Sequence, residues 1–177
     1  MLIAATLSVF VLAGVLSAFL FVGRTGFLAS SYSDLETEVR RGLDLFADDV
    51  RMASGISWNS AQSVTLQLPD AMGGTTRVTY AYDTERNSPT HRCFYRMEGD
   101  AASREPRRVL VHNAEDFAFK RYKLEQPGVL DNTAANDLET KQIQITLRAV
   151  RQGATTAATT NSVVSARYVL RNKRVSN

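Results

Sequence analysis

MLIAATLSVFVLAGVLSAFLFVG, residues 1–23, carries no charged side chain, and the first formal charge on the chain is Arg24. At 1.5 Å per residue a helix of this length spans about 34 Å, enough for a hydrocarbon core of about 30 Å with some tilt. A cleaved secretory signal would show a basic n-region, a shorter apolar stretch and a small-x-small cleavage site. Here Met1 runs directly into Leu2-Ile3-Ala4-Ala5, and the apolar run ends on the bulky Phe19-Leu20-Phe21-Val22-Gly23. The segment therefore reads as a retained single membrane helix, residues 1–23, from which the rest of the chain hangs.

Immediately downstream the pattern becomes amphipathic. Leu28, Tyr32, Leu35, Val39, Leu43, Phe46 and Val50 recur at steps of three and four, one stripe of a helix. Asp34, Glu36, Glu38, Arg40, Arg41, Asp44, Asp48 and Arg51 take the other side, and Glu36 to Arg40 is an i,i+4 pair in the favourable order. This second helical segment is assigned to residues 24–55, with Gly55 as its stop. Gly23-Arg24-Thr25-Gly26 leaves two forms open: one long helix weak at this point, or two helices with a short break. Ser33-Asp34-Leu35-Glu36 reads as a capping box at the start of the second.

From Trp58 the period falls to two. Val64 to Leu68, Arg77 to Tyr82, Arg92 to Met97, Arg108 to His112, Phe117 to Leu124, Lys141 to Val150 and Val163 to Arg171 read as strands bounded by turn residues. In the sixth, Ile143, Ile145 and Leu147 alternate with Gln142, Gln144 and Arg148, which gives a sheet with one dry and one wet face. The expected architecture is α+β: a long N-terminal helix, half apolar and half amphipathic, packed on an antiparallel β-sheet head at residues 56–177. Leu35, Val39, Leu43, Phe46 and Val50 are the helix-to-sheet packing residues. Gln126 to Thr140 reads as a loop, and the Thr/Ala run Gln152 to Ser162 as the turn of a hairpin joining the last two strands.

The net charge is +3, with the excess at the C-terminal end, where Gln126 to Asn177 holds seven basic and three acidic residues. An imbalance this mild, without base-reading or stacking motifs, suits a solvated sheet face and gives no specific nucleic-acid motif. Whether Arg167, Arg171, Lys173 and Arg174 meet a partner subunit, an acidic polymer or only water is open. The single Cys93 has no intramolecular disulfide partner, and with His91 and His112 it falls short of four closely spaced N/S zinc ligands. His91 and Cys93 read as an ordinary same-face strand pair without an orienting third group, so catalysis is not expected. Asp131, Asn132, Asn136 and Asp137 offer loop oxygens but lack EF-hand spacing and glycine. No cofactor or metal is expected.

Within the first segment, Ala4 and Ser8, Ala13 and Ser17, and Gly14 and Ala18 are small residues four apart, a spacing that lets helix backbones approach closely. They are the candidate helix-helix assembly residues; the plainer reading is that membrane helices are rich in small residues generally.

Met1 to Ser8 followed by an amphipathic helix and a small β-rich head resembles the type IV pilins and the pseudopilins of type II secretion. Leu43 to Arg51, Val78 to Asp83 and Phe94-Tyr95-Arg96 look most like the minor pilins and the J-type minor pseudopilin. In that family a basic leader ends in Gly and the mature chain opens Phe-Thr-Leu-x-Glu; neither is present here, so processing and subunit registration are placed on no residue. The expected explanation is a start set inside a longer reading frame, which upstream sequence would test. The resemblance implies a structural minor subunit in the inner membrane, single-pass, with its head in the periplasm or on an extracellular filament. Its implied partners are other pilin or pseudopilin subunits, inner-membrane assembly machinery and membrane lipid. The alternative is a single-span envelope protein with an extracytoplasmic ligand-binding β-domain that does not polymerise.

Overall fold

The computed structural model describes residues 2–70, 72–124, 131–151 and 160–174, and the side chains of Leu2, Phe27 and Leu28 are not among those described. Met1, most of the Thr/Ala run, residues 126–130 of the preceding loop and the Leu28 position of the apolar stripe therefore lie outside the description.

One helix, α1 (Leu2–Met52), runs through both N-terminal segments. The break considered at Gly23 to Gly26 does not form. Each helical glycine costs roughly 1 kcal/mol against alanine, but the flanking residues keep the ladder, and Thr25 turns its hydroxyl back to the Phe21 carbonyl (2.8 Å). Ser33 consequently sits inside the helix and caps nothing; its carbonyl accepts the Thr37 hydroxyl at 2.8 Å. The helix ends at Met52, and Gly55 is the first residue of a strand rather than a helix stop. Ser54 has already donated its N–H to Gln67 (2.8 Å), so the chain passes straight into sheet pairing.

The β-structure is two antiparallel meanders where one sheet was expected. Strands β1 (Gly55–Ser60), β2 (Ser63–Pro69), β3 (Thr75–Tyr82), β4 (Phe94–Glu98) and β5 (Arg108–Val111) form one sheet in sequence order. Strands β6 (Ala114–Tyr122), β7 (Gln142–Arg151) and β8 (Thr160–Val169) form the other. β1 escapes periodicity because its Gly-Ile-Ser-Trp-Asn-Ser has only two large apolar residues; its pairing with β2, Ile56 to Leu66 and Trp58 to Val64, defines it. The seam between the sheets is polar backbone: Phe119 N–H donates to Ala61 (2.6 Å) and Ala114 N–H to Arg92 (2.7 Å).

The C-terminal half of α1 touches β2 and β5 of the first sheet and β7 and β8 of the second. Both dry faces converge on Phe46, which is fully buried, with its ring 4.9 Å from Tyr80, 5.5 Å from Phe119 and 5.6 Å from Tyr168. Ile143, Ile145 and Leu147 are buried, while Gln144, Thr146 and Arg148 on the other face of β7 are partly exposed. The larger sheet departs from a simple wet outer face. Ala81, Tyr95 and Met97 form a second buried cluster there, because the chain after β4 folds back: Thr79 donates to the Gly99 carbonyl (2.9 Å) and Arg107 lies over the Tyr95 ring (4.7 Å).

Candidate assembly surface

The two halves of α1 have opposite surroundings although one hydrogen-bond ladder runs through both. In the N-terminal half the apolar residues face outward: Phe10 is 77% exposed, Phe19 76% and Phe21 72%. This is the one helix, among the described residues, long and apolar enough to cross a membrane, and no other described part of the chain covers its most apolar window. Ala4, Ser8, Ala13, Gly14, Ser17 and Ala18 all lie exposed in it. Ser8 satisfies its own hydroxyl on the Ala4 carbonyl (2.9 Å), so its polar atom makes no demand on a neighbour. A Cβ added at Gly14 would meet no atom within 4 Å, which leaves a notch with no intrachain use.

In the C-terminal half the stripe is buried from Leu35 onward. Leu35, Val39, Leu43, Phe46 and Val50 each have at most a few per cent of their surface exposed, whereas Tyr32, one turn earlier, is about half exposed. The transition from bare to covered helix thus falls between Tyr32 and Leu35. Gly42 sets the approach to β5: a Cβ there would lie 3.2 Å from Leu110 Cβ and Val111 Cγ2 and 3.3 Å from the Leu110 carbonyl oxygen. Glu38 fastens the same edge, its carboxylate accepting the His112 backbone N–H (2.8 Å) and meeting His112 Nδ1 (2.7 Å).

A buried polar cluster locks the helix to the sheet, and sequence reading missed it. Asp49 lies one turn after Phe46 and one turn before Ala53, on the buried side, and accepts hydrogen bonds from the Tyr80 hydroxyl (2.6 Å) and Arg96 Nε (3.0 Å). Burial first, and then the adjacent carboxylate, push the Tyr80 hydroxyl pKa well above its ordinary value. Burial works against the Arg96 charge, but Asp49 and Tyr80 more than offset it and raise its pKa. The only sequence signal was an acid at a position of helical phase that otherwise belongs to the core.

The residues weighed for chemistry are dispersed into structural tasks. His91 is in a turn and Cys93 precedes β4, so they are not the strand pair expected; the left-handed Arg92 between them (φ 58°) breaks the extended run. Cys93 is buried, and that burial raises its thiol pKa. His112 faces Glu38 on the helix. Asp131 accepts the Thr133 N–H (2.9 Å) and Asn136 the Glu139 N–H (3.0 Å), while Asp137 pairs with Arg121 (2.8 Å) and accepts the Trp58 N–H (3.1 Å). Among the described residues no three His, Cys, Asp or Glu side chains are grouped as a metal site would need. In the basic C-terminal stretch, Lys173 is buried and donates to the Leu138 carbonyl (2.7 Å), and Arg167 stacks on Tyr122 at 3.8 Å.

Comparison with protein-family models and with curated proteins gives no match. The chain itself presents a bare apolar helix continuous with a helix that is the core of a β-rich head.

Proposed function

We propose that this protein is a structural minor subunit, a pilin or J-type minor pseudopilin, of a type IV pilus or type II secretion filament. The observation that carries the reading is the unbroken α1, bare and apolar over its first half and embedded in the head over its second. A mere tether needs only a span and a linker; a helix that is also the structural spine of the head suits a subunit that must hold its head at a set position in an array. In this reading the apolar half stores the subunit in the inner membrane and then packs among the helices of neighbouring subunits. Ala4, Ser8, Ala13, Gly14, Ser17 and Ala18 provide close approach, since association within lipid relies on packing of small residues. The head stands outside the cytoplasm, and the partners are other pilin or pseudopilin subunits and the inner-membrane assembly machinery. No catalytic step is assigned.

The test is site-specific photo-crosslinking from Ala13 or Gly14 in membranes that contain candidate pilin partners. Adducts to the apolar helices of those partners are expected. A helix that labels lipid only would overturn the filament reading in favour of a single-span envelope protein whose head binds a ligand without polymerising.

A further inference from the structure

A trough of about 490 Å³ runs along the junction of α1 and β5, floored by Gly42, Leu45, Val109 and Leu110 and flanked by Arg41 and Arg108. It is an open channel rather than a closed chamber, so it suits one side of a polypeptide better than a small molecule that must be enclosed.

Its charges are unequally satisfied. The two carboxylates on its wall already have partners: Asp34 pairs with Arg151 (3.4 Å), and Glu38 accepts the His112 backbone N–H (2.8 Å) and meets its Nδ1 (2.7 Å). The buried Asp49 is taken by Arg96 (3.0 Å), the cross-strand partner of Arg108. Arg41 and Arg108 are both exposed, and among the described residues neither guanidinium has an ion pair or hydrogen bond. Two guanidinium groups beside an apolar floor match a carboxylate next to an aliphatic side chain, because arginine binds carboxylates in a two-pronged geometry that lysine lacks.

We propose that this trough docks an acidic, extended segment of a different protein chain, which presents Glu or Asp to Arg41 and Arg108 and an aliphatic side chain to Leu45 and Leu110. A second copy of this chain fits less well. Its net charge of +3 sets copies against each other, and several of its exposed acids, Glu36 with Arg40, Asp48 with Arg51 and Asp116 with Arg148, are already paired. The inference stands on the head and does not depend on the filament reading.

The test uses the full chain in non-ionic detergent and fluorescent ten-residue peptides that alternate valine with glutamate, glutamine or lysine. Anisotropy should show saturable, salt-sensitive binding of the glutamate peptide, at least tenfold weaker binding of the glutamine peptide and none of the lysine peptide. The double variant R41E/R108E, and the milder R41Q/R108Q, should weaken the glutamate peptide tenfold or more with unchanged circular dichroism. R40E/R104E, the same charge change outside the trough, should leave it within twofold. Equal binding of all three peptides, or equal loss in the two glutamate variants, would overturn the proposal. So would sedimentation that shows self-association abolished by R41E/R108E, since the occupant would then be a second copy.

Discussion

At the scale of single residues, the head is organised around one ring and one carboxylate. Phe46 has no exposed surface and contacts aromatic rings from both sheets, so Phe46→Ala should cost about 3–5 kcal/mol, read as a fall in the urea midpoint of the head. Asp49 is different in kind, because it is buried with its partners in place. Tyr80→Phe removes one donor and should cost about 1–2 kcal/mol. Arg96→Met strands the carboxylate and should cost about 3–5 kcal/mol; adding Asp49→Asn to it should recover part of that loss, and the double-mutant cycle in urea measures how much. Phe46 was legible in the sequence because its phase in the stripe is decisive. Asp49 was not, because an acid among Asp44, Asp48 and Arg51 reads as the solvated flank until Arg96, far along the chain, is seen to reach it.

At the scale of elements, seven strands were legible from the alternation of their residue types, although β2 and β3 are buried over consecutive residues where the second cluster covers the outer face. β1 was missed for lack of apolar weight, and the division into two sheets was invisible because no local pattern marks which strand stops pairing. The polar seam at Ala61 and Arg92 is made by backbone atoms that every sequence possesses. The approach of α1 to β5 belongs to this scale. Gly42→Ile would force the helix away from Leu110 and Val111, with an expected loss of about 1–3 kcal/mol and faster amide exchange confined mainly to β5. The connection between β3 and β4 is knotted on Asp83, which accepts Ser88 Oγ (2.5 Å), Thr90 Oγ1 (2.6 Å) and Arg107 (2.5 Å). Burial opposes its charge, but these donors and the Glu85 N–H outweigh burial and hold its pKa below the ordinary 3.8. A carboxyl lowered by folding stabilises the native state fully above its unfolded pKa and loses that contribution as pH falls through the folded value. The melting-temperature gap between the wild type and Asp83→Asn should therefore be widest above about pH 4 and close as pH falls below 3.8.

At the scale of the whole molecule, the bare half of α1 contributes nothing to the packing of the head. Deleting residues 2–29 should leave a head that is soluble without detergent, with an unfolding midpoint within about 1 kcal/mol of the full chain, since surface changes away from packed sites usually matter little. A head that unfolds on this deletion would show that the apolar half stabilises more than its exposure implies. The unbroken helix also fixes an angle. Roughly eight turns of ideal helix separate Ser17 from Phe46, so the two project to the same side of the axis. A neighbour nestled against Ser17 and Gly14 therefore lies beneath the head, not behind it. One residue inserted after Gly23 would swing the head by about 100° about that axis while advancing it only about 1.5 Å. The rod would thus be a phase key as much as a support: in the proposed array it would translate which face of the helix a neighbour occupies into which compass bearing the head presents.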